Sequence, residues 1–113
     1  MKINTTEHEG AVVFELKGKI MGGPDSAVFH DALKEYLVKG QKNLVIDLHK
    51  VDWMNSSGLG ILISALTTVK NSDGHLKLAR VTEKINSLLM ITKLVTVFES
   101  YDTVEDALLS FNK

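Results

Sequence analysis

The run NLVIDL, from Asn43 to Leu48, constrains this chain more than any other feature. It is short, apolar and β-branched, and it lies between Gly40 and a polar segment, so it reads as a strand buried on both faces of a parallel sheet. Downstream of the polar junction VDWMNSSG, Leu59, Leu62, Ile63, Leu66 and Val69 recur at helical spacing within GLGILISALTTVK. A strand, a junction and a helix in that order predict a layered α/β fold. The ends of parallel strands are where such folds build their sites. The loop after NLVIDL is therefore the place to look for function.

The flanking segments fit the same architecture. AVVFELKGKI is β-branched and aromatic, and it pairs with KINTTEHE through a turn near Glu9 and Gly10, giving an N-terminal hairpin. Pro24 suits a first helical turn and Gly40 a stop, with Val28, Phe29, Ala32, Leu33, Tyr36 and Leu37 on one stripe between them. NSDG makes a turn and HLKLARV a strand; Thr82 caps a helix carrying Ile85, Leu88, Leu89 and Ile91. The tail predicts a short strand around Val97 and Phe98, then a helix capped at Asp102 or Thr103 with Val104, Ala107, Leu108 and Phe111 turned inward. The expected fold is a mixed four- to five-stranded sheet with an N-terminal β-hairpin, flanked by about four helices. Residues 1–113 are expected to form a single domain, since no linker, repeat or low-complexity segment divides them.

Charge and composition narrow the partners. A formal net charge of −1 supplies no broad positive field, so neither nucleic acid nor an anionic membrane is expected as partner. Cysteine is absent, which excludes disulfides, thiolate metal sites and cysteine nucleophiles. No run approaches the roughly 20 apolar residues of a membrane span, and a cytoplasmic location is expected.

The junction itself asks for an explanation. Asn55, Ser56 or Ser57 can accept hydrogen bonds from the first free N–H groups of the following helix, worth roughly 1 kcal/mol. Capping alone leaves Gly58 and Gly60 unexplained, because each costs up to about 1 kcal/mol relative to alanine inside a helix. Glycines let another surface approach closely. A phosphoryl group on a serine here would meet unpaired N–H groups and the positive end of the helix dipole. It would also bring about −1.5 to −2 of charge onto a neutral surface and repel a docked partner. Trp53 and Met54 belong either to the buried edge beneath this loop or to an apolar anchor beside it.

With these residues in hand, the order GKI, GGPDSAVFHDAL, NLVIDLHKVDWMNSSGLGIL, HLKLARVTEKINSLLMITKL and VFESYDTVEDALLSF resembles the STAS domain family, most closely its stand-alone bacterial anti-sigma factor antagonists. The resemblance covers essentially the whole chain and is most specific at VDWMNSSGLGIL, which is similar to the family's Asp-Ser-Ser/Thr-Gly-Leu-Gly junction. It implies no cofactor, phosphorylation of Ser56 by an anti-sigma factor with serine kinase activity, and restoration by a serine phosphatase. The unphosphorylated form would bind the kinase and free the sigma factor. The expected contact surface is Trp53, Met54, Asn55, Ser56, Ser57, Gly58, Leu59 and Gly60, with Gly22, Gly23 and Asp25 on the same rim. Asn55 departs from the family's aspartate: it keeps the capping oxygen but cannot accept a proton or present a full charge.

An enzyme is not expected. SSGLG lacks the spacing and the lysine of a phosphate-binding loop, and no G-x-G-x-x-G follows the first strand. His8, His30, His49 and His75 are scattered without paired metal spacing, so no metal site is expected. Asp47 stands near a strand end, as the phospho-acceptor of receiver domains does, but an early acidic pair is missing and only Glu15 is available. Asp47 is read instead as tethering its loop or pairing with a nearby amide. The expectation is a non-enzymatic, cytoplasmic switch protein, a monomer or weak dimer, with a non-phosphorylated scaffold or small-ligand sensor of the same fold as the alternative.

Overall fold

The structure, a computed structural model, describes residues 1–112. Strands β1 (Lys2–His8) and β2 (Ala11–Ile20) form an antiparallel hairpin. Helix α1 (Pro24–Val38) leads to β3 (Asn43–Met54), helix α2 (Ser56–Asn71) to β4 (His75–Ala79), and helix α3 (Glu83–Ile91) to β5 (Glu99–Tyr101), before the closing helix α4 (Val104–Ser110). The sheet order is β1-β2-β3-β4-β5, and every neighbouring pair after the hairpin is parallel. The mixed five-stranded sheet and the four helices match the fold expected from the chain's patterning.

Alternation along the strands decides which helix lies where. Phe14, Leu16, Leu44, Ile46, Leu48, Leu76 and Leu78 turn to one face, where Phe29, Leu33, Leu62, Val69, Ile85 and Leu89 of α1, α2 and α3 close over them. Phe14 packs edge-on to Phe29 and to Tyr36, with ring centroids 6.0 and 5.5 Å apart. Val13, Val45 and Ala79 turn to the other face, which α4 covers through Ala107. Lys77 holds α4 there: its ammonium lies 4.7 Å from the Phe111 ring centroid, 2.7 Å from Ser110 Oγ and 3.1 Å from Glu99 Oε2. NLVIDL is thus covered on both faces. Among the described residues, no helix is long and apolar enough to cross a membrane.

Several expectations need correction. Strand β3 does not stop at Leu48 but runs to Met54, because its register against β2 slips between Glu15 and Lys17 and again between Gly18 and Lys19. Each slip absorbs an extra residue and hides the two-residue alternation. The junction loop therefore shrinks to Asn55 alone. The last short strand is Glu99–Tyr101 rather than Val97 and Phe98; Phe98 is buried as core instead. Val28, Ile63 and Ile91, placed on inward stripes from their spacing, are 56%, 37% and 79% exposed. They stand at the margins of their helical stripes, where the sheet no longer reaches them.

Candidate functional site

The ends of two parallel strands build the site. Ile20, the last residue of β2, is in register with Met54, the last of β3, so α1 and α2 start side by side at the same end of the sheet. Asn55 is extended (φ −105°, ψ −175°) and caps α2: its Oδ1 accepts from the Gly58 N–H at 2.7 Å, and its carbonyl accepts from the Leu59 N–H at 2.9 Å. Of the three capping candidates, the asparagine performs the task and leaves both serine hydroxyls uncommitted. Ser56 and Ser57 are exposed in the first turn of α2. That turn contains no acidic residue, so the positive end of the helix dipole is uncompensated by α2 itself.

The glycines divide into two kinds. A Cβ on Gly58 would run into the carbonyl oxygen of Ile20 and come within 3.0 Å of the Met54 side chain. Gly58 is buried, and the surface that approaches it is the chain's own β2 terminus. Gly60 is exposed, and a Cβ there would meet nothing within 4 Å. Gly22 has φ +89°, and a Cβ on it would lie 2.8 Å from Ser57 Cβ, so the β2–α1 turn sits directly against the serine pair. Gly23 is exposed, and Asp25 is half-buried with its carboxylate 3.8 Å from the Met1 amino group.

The expected contact set is accordingly altered. Met54, Gly58 and Leu59 are buried, because the end of β3 and the inner face of α2 close the core here, so Gly58 and Leu59 offer no side chain to a partner and Met54 only the floor of a cleft. The structure brings Gly22, Gly23 and Asp25 together with Trp53, Asn55, Ser56, Ser57 and Gly60 at one end of the sheet. Trp53, the penultimate residue of β3, is 44% exposed.

Asp47 lies elsewhere, on the strand face toward α4, and is 2% exposed. Arg80 donates to it through Nε at 3.1 Å and Nη2 at 2.5 Å, and the His49 N–H donates at 3.2 Å. The amide partner was anticipated; the arginine was not. Hydrogen bonding to Asp47 raises the Arg80 pKa above its ordinary value against the opposing pull of burial, and the charges of Asp47 and Glu15 add to the rise. Arg80 has φ +52° and donates its backbone N–H to Tyr101 at 2.9 Å, so the pair ties β3, β4 and β5 together. An acid so enclosed is a structural tether.

Comparison with known proteins places this arrangement. The model of the STAS domain matches residues 2–107. The chain belongs to the STAS domain family. Among its relatives, a Thermotoga maritima protein assigned to the anti-sigma factor antagonists is 30% identical over 74 residues, spanning 66% of this chain and 66% of that protein. The matched stretch thus covers just under two thirds of that relative's length. The anti-sigma-B factor antagonist of Staphylococcus epidermidis is 30% identical over 98 residues, covering 83% of this STAS chain and 86% of the relative. The fold is shared with the anti-sigma factor antagonist SpoIIAA in its unphosphorylated form, with a TM-score of 0.81 at 13% identity over 98% of this chain and 96% of that one. SpoIIAA of Bacillus in its phosphorylated form has a TM-score of 0.74 at 14% identity, with 97% and 99% covered.

Proposed function

We propose that this STAS domain is a phosphorylation-controlled anti-sigma factor antagonist: unmodified, it binds an anti-sigma factor that is also a serine kinase, and phosphorylation of Ser56 releases that partner. The observation that carries the reading is the exposed Ser56 hydroxyl at the start of α2, free of the capping bond that Asn55 makes instead. In the transfer, Ser56 Oγ bonds to the γ-phosphorus of ATP as the bond to the bridging oxygen breaks and ADP leaves. The hydroxyl proton passes to a base on the kinase, because the Asn55 amide cannot take it. The product carries about −2 of charge on a tip that was neutral, stabilised within the chain by the α2 N–H groups but hostile to an acidic partner.

The relatives' names and the phosphorylated form of SpoIIAA support this reading. Binding, rather than catalysis on a substrate, is the activity proposed, in the cytoplasm, with a serine phosphatase hydrolysing the phosphoserine to reset the switch. Incubation with the cognate anti-sigma factor kinase and ATP, followed by mass mapping, tests it. Phosphate on Ser56, absent from Ser56→Ala, is the expected result; an unmodified Ser56 refutes the switch and favours the constitutive scaffold.

A further inference from the structure

Strand β4 follows β3 only as far as Asp47 opposite Ala79, and β3 continues from Leu48 to Met54 with no strand along that edge among the described residues. Helix α3 packs against β3. A cleft of about 350 Å³ remains between them, lined by Trp53, Met54, Lys84, Ile85, Leu88 and Ile91. Its floor is core, formed by the buried Met54 and Ile85, whereas its rim is apolar and bare, with Trp53 44% and Ile91 79% exposed. An exposed tryptophan facing an exposed isoleucine across a cleft is the composition of an interface anchor site. Lys84 is the cleft's one charged wall, and no carboxylate lies within ion-pair distance of it among the described residues.

We propose that this cleft is the second half of the kinase-docking surface, and that it receives an apolar side chain of the partner with a carboxylate beside it. The inference rests on the reading of Ser56 given above. Two observations point to that occupant. Trp53 precedes Ser56 by three residues, at most about 10 Å of extended chain. A kinase interface of ordinary size centred on the Ser56 hydroxyl is wide enough to reach Trp53 and the mouth of the cleft as well. The second is charge: the unpaired ammonium of Lys84 and the acid-free first turn of α2 both complement carboxylates. A partner surface acidic enough to satisfy them is also one that a phosphate on Ser56 repels. The cleft then supplies affinity that the serine tip, small and polar, lacks, while the tip supplies the control.

The test is the affinity of the cognate anti-sigma factor kinase, without ATP, for the wild-type chain, Ile91→Glu, Lys84→Glu and a control, Val38→Glu. Val38 is exposed at the far end of α1, about 22 Å of helix from the site. All three positions are exposed, and equal thermal midpoints verify that the variants fold. Ile91→Glu is expected to weaken binding about tenfold or more and Lys84→Glu by a smaller factor that shrinks at high salt, with Val38→Glu unchanged. Wild-type binding with Ile91→Glu and Lys84→Glu equally tight overturns the cleft and leaves the Ser56 reading standing. No binding by the wild type overturns that reading and the cleft with it. A wild-type dimer that Ile91→Glu dissolves, with kinase affinity unchanged, assigns the cleft to a second copy and overturns the proposal.

Discussion

Gly58 lies against the carbonyl of Ile20 so closely that no side chain fits between them. The contact bolts the first turn of α2 to the end of β2, and Asn55 adds a 3.4 Å hydrogen bond from its own N–H to the same carbonyl. The serine tip is therefore anchored by contacts that ask nothing of the serine side chains, which is why they can be small and exposed and still fixed in place.

Gly58→Ala is expected to destabilise the fold by about 1–3 kcal/mol, because either the helix or the β2 terminus must move. Gly60→Ala, with open space at its Cβ, is expected to stabilise by about 0.5–1 kcal/mol through helix propensity and a less flexible unfolded chain. Denaturant unfolding of both variants checks the pair. If Gly60 is retained for close approach of a partner, Gly60→Ala also weakens partner binding while it raises stability.

Asn55→Ala removes the cap on the Gly58 N–H and is expected to cost about 1 kcal/mol. Asn55→Asp keeps the acceptor and adds a charge at the positive end of α2, a gain of about 0.3–1 kcal/mol at low salt. The kinase assay on Asn55→Asp separates the two roles of the family's aspartate. An unchanged phosphorylation rate identifies it as a cap, and a faster one shows that the carboxylate aids the hydroxyl.

Arg80→Met strands the buried Asp47 carboxylate and is expected to cost about 3 kcal/mol, less whatever solvent recovers at the partly open guanidinium. Because Asp47 raises the Arg80 pKa, the contribution that comes from the guanidinium's charge is complete below the ordinary arginine value and is lost only as pH rises through the raised folded-state value. Arginine titration thus adds no slope to stability near neutral pH. In Arg80→Lys the cation titrates from about 10.4 upward, so the gap between variant and wild type is expected to widen above that pH in urea midpoints.

Much of this could be read from the residues, and the remainder failed for physical reasons. The hairpin, the strand buried on both faces, the helices at Pro24 and Thr82 and the cap at the NSSG junction all follow from local periodicity and local hydrogen bonding. The extension of β3 through VDWM was hidden because two register slips break the alternation that marks a strand. Arg80 pairs with Asp47 across 33 residues, and Gly58 meets Ile20 from another element, so neither contact leaves a local signal. The exposed Ile91 was assigned to the core because its spacing fits α3, and only the early end of β4 shows that nothing covers it.

The account is tested most directly by titrating the cognate anti-sigma factor kinase with two preparations of this chain, one unmodified and one bearing phosphate on Ser56 alone, at a fixed physiological salt concentration. Loss of affinity by about a hundredfold on phosphorylation, with Ser56→Ala binding like the unmodified chain, is the predicted result. Equal affinity of the two preparations contradicts the switch.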